Sequence, residues 1–216
     1  MRTVVDLTHT IREEMPVYPG TEPPRLREAI SYSESGYRET LLHLFSHTGT
    51  HMDAPAHLFE NRTTLDAFPV SQFVGTALCI DCTDVPAGGR IAMERIDCRR
   101  PEADAADFLL FHTGWSAWWG DERYFEGYPC ITSEVARYVL DTGKKGVGFD
   151  TIGIDPVEDE ELVLHRTLFE TGDVVIVENL AHLDQVGPGP FSFAALPLKY
   201  VCADGAPVRA IAVLES

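Results

Sequence analysis

Short apolar runs alternate along this chain with polar stretches broken by glycine and proline, and their lengths predict strands more often than helices. Residues 3–7 read as a short strand. Residues 8–24 predict a loop, because Pro16, Pro19, Gly20, Pro23 and Pro24 prevent regular pairing. Residues 38–45 alternate loosely. Residues 74–81 and 108–112 are apolar runs of the length of buried strands, and 146–150 and the β-branched 173–177 are two more. Residues 191–202 and 208–214 supply the last strands.

Two stretches carry helical periodicity. Over 131–142, Thr132 or Ser133 is a capping residue, Glu134 falls in the first turn, Val135, Ala136, Val139 and Leu140 recur at helical spacing, and Gly143 closes the element. Over 159–170, Leu162, His165, Leu168 and Phe169 share a face, and Gly172 ends it. Strands outnumber helices and no regular βαβ alternation is evident. The pattern therefore predicts a single α/β domain over residues 1–216 with a mixed sheet, not a doubly wound one.

Composition narrows the partners. Hydrophobic residues make up 44% and charged residues 24%, the balance of an ordinary globular chain. Against 17 basic residues stand 34 acidic ones, for a formal net charge of −17. Such a surface repels phosphate backbones, and no basic cluster offsets it, so no nucleic-acid partner is expected. No uncharged apolar run approaches the ~20 residues that span a bilayer. The first seven residues lack the apolar core of a signal peptide. Cysteines 79, 82, 98, 130 and 202 are odd in number and irregularly spaced, so a reduced, cytoplasmic protein is expected. Cys79 and Cys82 form a CxxC inside a strand-like run, not at a helix start, which argues against redox chemistry.

The densest chemistry lies in His47-Thr48-Gly49-Thr50-His51-Met52-Asp53-Ala54-Pro55-Ala56-His57. Three of the chain's eight histidines and one aspartate occupy odd positions there, so an extended backbone turns them to one side. Imidazole nitrogens and a carboxylate oxygen converging on one point suit a first-row divalent metal. A helical reading through His43, His47 and His51 is opposed by Gly49, two threonines and Pro55. A purely structural hydrogen-bond cluster is the alternative to a metal site.

Two further residues are ambiguous by themselves. Glu178 ends the apolar run 174–177, where it is either a desolvated carboxylate or the point at which the strand surfaces. His165 on an apolar helix face is either a hydrogen-bonded core residue or a ligand. His112, Asp150, Asp155 and the group Trp115, Trp118 and Trp119 each admit a site role and a structural one. The tryptophans could wall a pocket or pack in a core or interface. Three function classes follow: a metal-dependent hydrolase, a non-haem iron oxygenase using His51 and Asp53 with His165 or His182, and a non-catalytic metal-binding protein. His47 and Glu178 are surplus to the second, and the third gives no reason for His57.

The eleven-residue segment matches the HxGTHxDxPxH signature, and with it the chain resembles the cyclase family of metal-dependent hydrolases, which includes arylformamidases and cyclic-amide hydrolases. Asp6-Leu7-Thr8, residues 15–20, residues 146–150 with Asp155-Pro156, His165 and Val177-Glu178-Asn179-Leu180 extend the likeness in the same order. The resemblance implies a partly barrel-like mixed β-sheet flanked by a few helices, of the swivelling β/β/α kind. It implies His47, His51 and Asp53 on one metal, Asp53 bridging to a second held by His165 and Glu178, and His57 as the free acid/base. It further implies one or two divalent ions, Zn or Mn, a small amide substrate (an N-formyl arylamine such as N-formylkynurenine, or a cyclic amide or imide), and a homodimer or homotetramer. Where the formamidases carry a substrate-contacting tryptophan, the matching position here is Tyr18.

Overall fold

The computed structural model describes residues 2–215. Among these, twelve strands and five α-helices are formed, joined by short 3₁₀ turns. The strands are β1 (Arg2–Asp6), β2 (Arg25–Ile30), β3 (Glu39–His43), β4 (His51–Asp53), β5 (Val74–Asp81), β6 (Arg90–Ile91), β7 (Phe108–His112), β8 (Cys130–Ile131), β9 (Gly146–Phe149), β10 (Val175–Glu178), β11 (Phe191–Pro197) and β12 (Gly205–Glu215). The helices are α1 (Tyr32–Ser35), α2 (Glu94–Asp97), α3 (Arg100–Ala105), α4 (Ser133–Asp141) and α5 (Val163–Phe169).

Eight strands form one sheet in the order β1-β12-β11-β5-β7-β9-β10-β4. A further pairing of β12 with β4 closes seven of them into a barrel, leaving β1 as a flap on β12. The sheet is mixed as expected: β5, β7, β9 and β10 run parallel, and the remaining pairings are antiparallel. The parallel half corrects one expectation. Helices α2 and α3, then α4, then α5 each connect consecutive parallel strands, so a βαβ alternation does run from Val74 to Glu178. It was hidden because α2 and α3 are very short and irregular turns separate β7 from α4.

Side-chain alternation along the strands builds two cores. Ala77 and Cys79 of β5, Phe108 and Leu110 of β7 and Val175 and Val177 of β10 fill the barrel with Met52, Phe193, Ala206 and Ala210. Leu78, Ile80, Leu109, Phe111, Val147, Phe149 and Ile176 point outward and pack beneath the helices. The inner face is rich in small residues where the barrel is tight. A Cβ on Gly148 would fall 2.6 Å from Leu110 Cδ2 and 2.7 Å from Leu180 Cδ1.

Other boundaries shift for local reasons. α4 is capped by the Thr132 hydroxyl, which accepts from Val135 N, while Ile131 belongs to β8. The helix expected over 159–170 starts only at Val163, because Leu162 adopts a left-handed conformation with φ 50. β11 stops at Pro197, whereas β12 starts at Gly205 and is longer than its predicted 208–214. The hairpin of β2 and β3 is unanticipated in its first strand; every residue of β3 is exposed and α1 buries none. No helix of the described residues is long and apolar enough to cross a membrane.

Candidate metal centre

β4 supplies the heart of the site. Its three residues are clamped between β10 and the start of β12, with Glu178 opposite His51 and Gly205 opposite Asp53. Met52 turns into the barrel, so His51 and Asp53 face outward beside Glu178. The shared-face argument holds for these two residues only. Gly49 takes a left-handed turn with φ 67, which ends the strand, and His47 reaches the site from the preceding loop. His57 arrives on the 3₁₀ turn Pro55–His57.

The side chains converge closely. Asp53 Oδ1 is 2.6 Å from His47 Nδ1 and 3.2 Å from His51 Nε2, and Asp53 Oδ2 is 3.5 Å from His165 Nε2. Glu178 divides its oxygens likewise, Oε2 lying 3.4 Å from His51 Nε2 and Oε1 3.3 Å from His165 Nε2. Asp53 and Glu178 are 1% and 5% exposed, so Glu178 does not surface as one reading of the strand allowed. His47, His51 and Asp53 form one donor trio, and Asp53, His165 and Glu178 a second.

This donor set fits a divalent cation. Two buried carboxylates cost several kcal/mol unless paired with positive charge. Four of the nitrogen–oxygen distances fall between 3.2 and 3.5 Å, longer than a charge-assisted hydrogen bond. They match the edge of a tetrahedron around an ion with ~2.0–2.1 Å bonds, roughly 3.4 Å. Each ring is also held from behind. His51 Nδ1 donates to Gly49 O at 2.8 Å, which itself accepts Asn179 Nδ2 at 2.9 Å. His165 Nδ1 lies 2.7 Å from Asp155 Oδ2. Such partners fix which imidazole nitrogen faces the ion.

Charge in the cluster follows from this packing. Burial opposes charge on His47 and His51, but Asp53 and the neighbouring carboxylates outweigh it, raising them to about 9 and about 10. His165 is raised well above its ordinary value against the same burial, by Asp155, Asp53 and Glu178. His57 differs: burial pushes it down and the surrounding charges do not reverse the shift. It is therefore the neutral imidazole of the group at pH 7. Its ring packs 4.0 Å from that of His47.

Above the cluster lies a cavity of about 270 Å³. Tyr18, Phe45, Ile152 and Leu162 give it apolar walls, and Asp53, His57, His165 and Glu178 line its polar end. The Tyr18 hydroxyl donates to Val157 O at 3.3 Å, which holds the ring at the rim. The tryptophans take no part. Trp115 donates its Nε1 to Tyr124 O, Trp118 lies under Arg123 and Trp119 stacks on His9, all away from this cavity. His112 lines other clefts, and His182 has its Nδ1 against Asp6 O, so neither joins the cluster. Asp150 accepts from Thr113 and Gly114 backbone N–H groups, a loop anchor. The CxxC thiols are buried, and burial raises both, Cys79 to about 12.

One residue of consequence escaped sequence reading, and another stood open between a site role and a structural one. The open one is Asp155, whose carboxylate caps α5 through Leu164 N and His165 N besides holding the His165 ring. Asp204 lies beyond every motif and faces His47 Nε2 at 3.0 Å. Only the proline after Asp155 hinted at a fixed geometry there; nothing marked Asp204.

A closed mixed barrel with a histidine–carboxylate cluster at the foot of an apolar-walled cavity defines a metal-dependent hydrolase. The profile of the Cyclase family matches residues 5–156. The kynurenine formamidase of Geobacillus thermodenitrificans (strain NG80-2) is 32% identical over 211 residues, 97% of this chain and 97% of that protein. That of Bacillus cereus (strain ATCC 14579) is 31% identical over 208 residues, 96% and 95% of the two chains. Isatin hydrolase A from Labrenzia aggregata superposes with a TM-score of 0.87 at 25% identity, covering 100% of this chain and 94% of that one. A protein described as a potential metal-dependent hydrolase with cyclase activity gives 0.78 at 31% identity, with 100% of both chains covered. The chain belongs to the Cyclase family, and it is a metal-dependent amide hydrolase.

Proposed function

We propose that this enzyme cleaves a small amide carried on an aromatic or other apolar body, either an N-formyl arylamine such as N-formylkynurenine or a cyclic amide or imide. The observation that carries the reading is the His57 ring, outside the two donor trios that share Asp53 but packed 4.0 Å from His47 beside them. His47, His51 and Asp53 would hold one ion, and Asp53, His165 and Glu178 a second. The oxygens of both carboxylates are divided between the two sides, which favours two ions, Zn or Mn, over one. A divalent ion held there lowers the pKa of water from ~15.7 to about 7 and polarises the scissile carbonyl.

The chain's own groups do the rest. Tyr18, Phe45, Ile152 and Leu162 take the apolar body and point the amide at the polar end of the cavity. His57, neutral at rest, accepts the proton of the attacking water and returns it to the departing nitrogen. The kinship with kynurenine formamidases and isatin hydrolases supports the amide class, since the first name gives a formamide and the second isatin as what is cleaved. The test is a panel of aryl formamides, lactams and cyclic imides, assayed with metal-stripped protein reloaded with Zn, Mn or Fe. Turnover of one amide class restored by Zn or Mn is the expected result. Oxygen consumption with Fe and no amide cleavage would refute the reading.

The working form is a homo-oligomer. The β2–β3 arm leaves Leu41 50% and Leu42 58% exposed, and an isolated two-stranded hairpin is marginal in water. A second copy of the chain is the cover that the arm's position next to Phe45 and the cavity supports. Sedimentation of wild type against Leu41→Asp/Leu42→Asp checks it: the wild type is expected as a dimer or tetramer and the variant as a smaller species.

A further inference from the structure

β12 begins at the barrel's closure, where Ala54 N donates to Asp204 O at 2.9 Å. That pairing carries the Asp204 carboxylate over His47. Its Oδ2 is 3.0 Å from His47 Nε2, accepts the Ser46 hydroxyl at 3.2 Å and lies 3.9 Å from His57 Nδ1. Its Oδ1 lies 3.1 Å from the Tyr200 hydroxyl, which shares its one hydrogen between this oxygen and Gly205 O. Gly205 leaves room for the arrangement, since a Cβ there would fall 2.4 Å from His47 Cε1.

An imidazole turned over about its Cβ–Cγ bond puts carbons where its two nitrogens stood, so a ring at a metal site needs a second partner to fix it. His51 has the Gly49 carbonyl and His165 has Asp155. His57 makes no hydrogen bond through its ring among the described residues; its nearby carboxylate oxygen is that of Asp204, and its ring packs on the ring Asp204 holds. We propose that Asp204 is a positioning residue for both histidines: it holds His47 by Nε2 so that Nδ1 faces Asp53, and through that ring and its own Oδ2 it sets the edge His57 presents to the substrate. Tyr200 and Ser46 fix the carboxylate in turn. The inference rests on His47 and Asp53 being ligands.

Asp204→Asn in the full chain tests it, with Asp66→Asn as the control. Asp66 Oδ1 accepts Ala203 N at 3.1 Å, so the control loosens the same turn without touching either histidine. Zn affinity is read by competition with a chromogenic chelator, without substrate. kcat and KM are then read separately at saturating Zn on the amide the wild type cleaves best. Asp204→Asn is expected to weaken Zn binding by about 10- to 100-fold and to lower kcat while KM stays unchanged. Tyr200→Phe moves both the same way by less, and Asp66→Asn leaves both at wild type. Wild-type Zn affinity and kcat in Asp204→Asn would overturn the proposal. So would the same losses in Asp66→Asn, which would make Asp204 a turn residue only. Should no amide be cleaved, the Zn competition still decides, so failure of the substrate reading stays distinguishable.

Discussion

Replacing Asp155 with asparagine removes one oxygen acceptor and one charge from a buried cap. Its Oδ1 accepts Leu164 N at 2.7 Å, and its Oδ2 accepts His165 N at 3.0 Å and faces His165 Nδ1 at 2.7 Å. An asparagine oxygen serves the two His165 groups best, which turns its NH₂ toward Leu164 N and leaves that donor unpaired. A buried donor without a partner costs about 1–3 kcal/mol, and each remaining bond loses roughly 1 kcal/mol with the charge, for a sum of about 4 kcal/mol. In a chain of this size that lowers Tm by about 8–16 °C. The assay is thermal unfolding in chelator, so that the fold alone is read. The pH dependence has a definite sign. Burial pushes the Asp155 carboxyl up, but the bonds from His165 and Leu164 more than reverse it, leaving it below its ordinary value. Its contribution is therefore present above the ordinary carboxylate pKa of ~3.9 and fades as pH falls through the lowered one. The gap between wild type and variant should close at strongly acidic pH. A variant that melts with the wild type at pH 7 would refute the capping argument.

Three other outcomes are expected. His57→Ala keeps its metal, measured by elemental analysis, but loses about 10²- to 10⁴-fold in turnover; full activity would remove His57 from the proton path. Metal uptake by stripped protein at pH 7 releases protons, because His47 and His51 are raised to about 9 and about 10 without it. Calorimetry in buffers of different ionisation enthalpy reads that release, and affinity should fall as pH is lowered; buffer-independent heats would contradict it. Gly205→Ala forces the His47 ring away from a Cβ at 2.4 Å and should weaken Zn binding, with overpacking costing about 1–3 kcal/mol of stability.

Local spacing made the central part of the site legible. His51 and Asp53 share a face because they are two apart on one strand, and no distant contact is needed to see it. Residues 77–80 of β5 and 108–111 of β7 were equally plain, since each is a continuous apolar run buried on both faces. Glu178 and His165 stayed ambiguous because a terminal carboxylate and a lone imidazole join a cluster only through cross-strand and helix–strand neighbours. Asp155 stayed open and Asp204 was invisible for the same reason, their partners being set by tertiary closure. The tryptophans were open for another reason: clustered aromatics suit a pocket wall and a core alike, and packing, one of the two readings, gives them a place beside His9, Tyr124 and Arg123.

The seam between β4 and β12 joins parts of the chain far apart in sequence, His47 and Asp204 being 157 residues from one another. A nascent chain leaving the ribosome exposes its histidine-rich segment long before the strand that clasps it has been made. Those imidazoles and Asp53 are thus available to any passing cation before the barrel exists to discriminate among them.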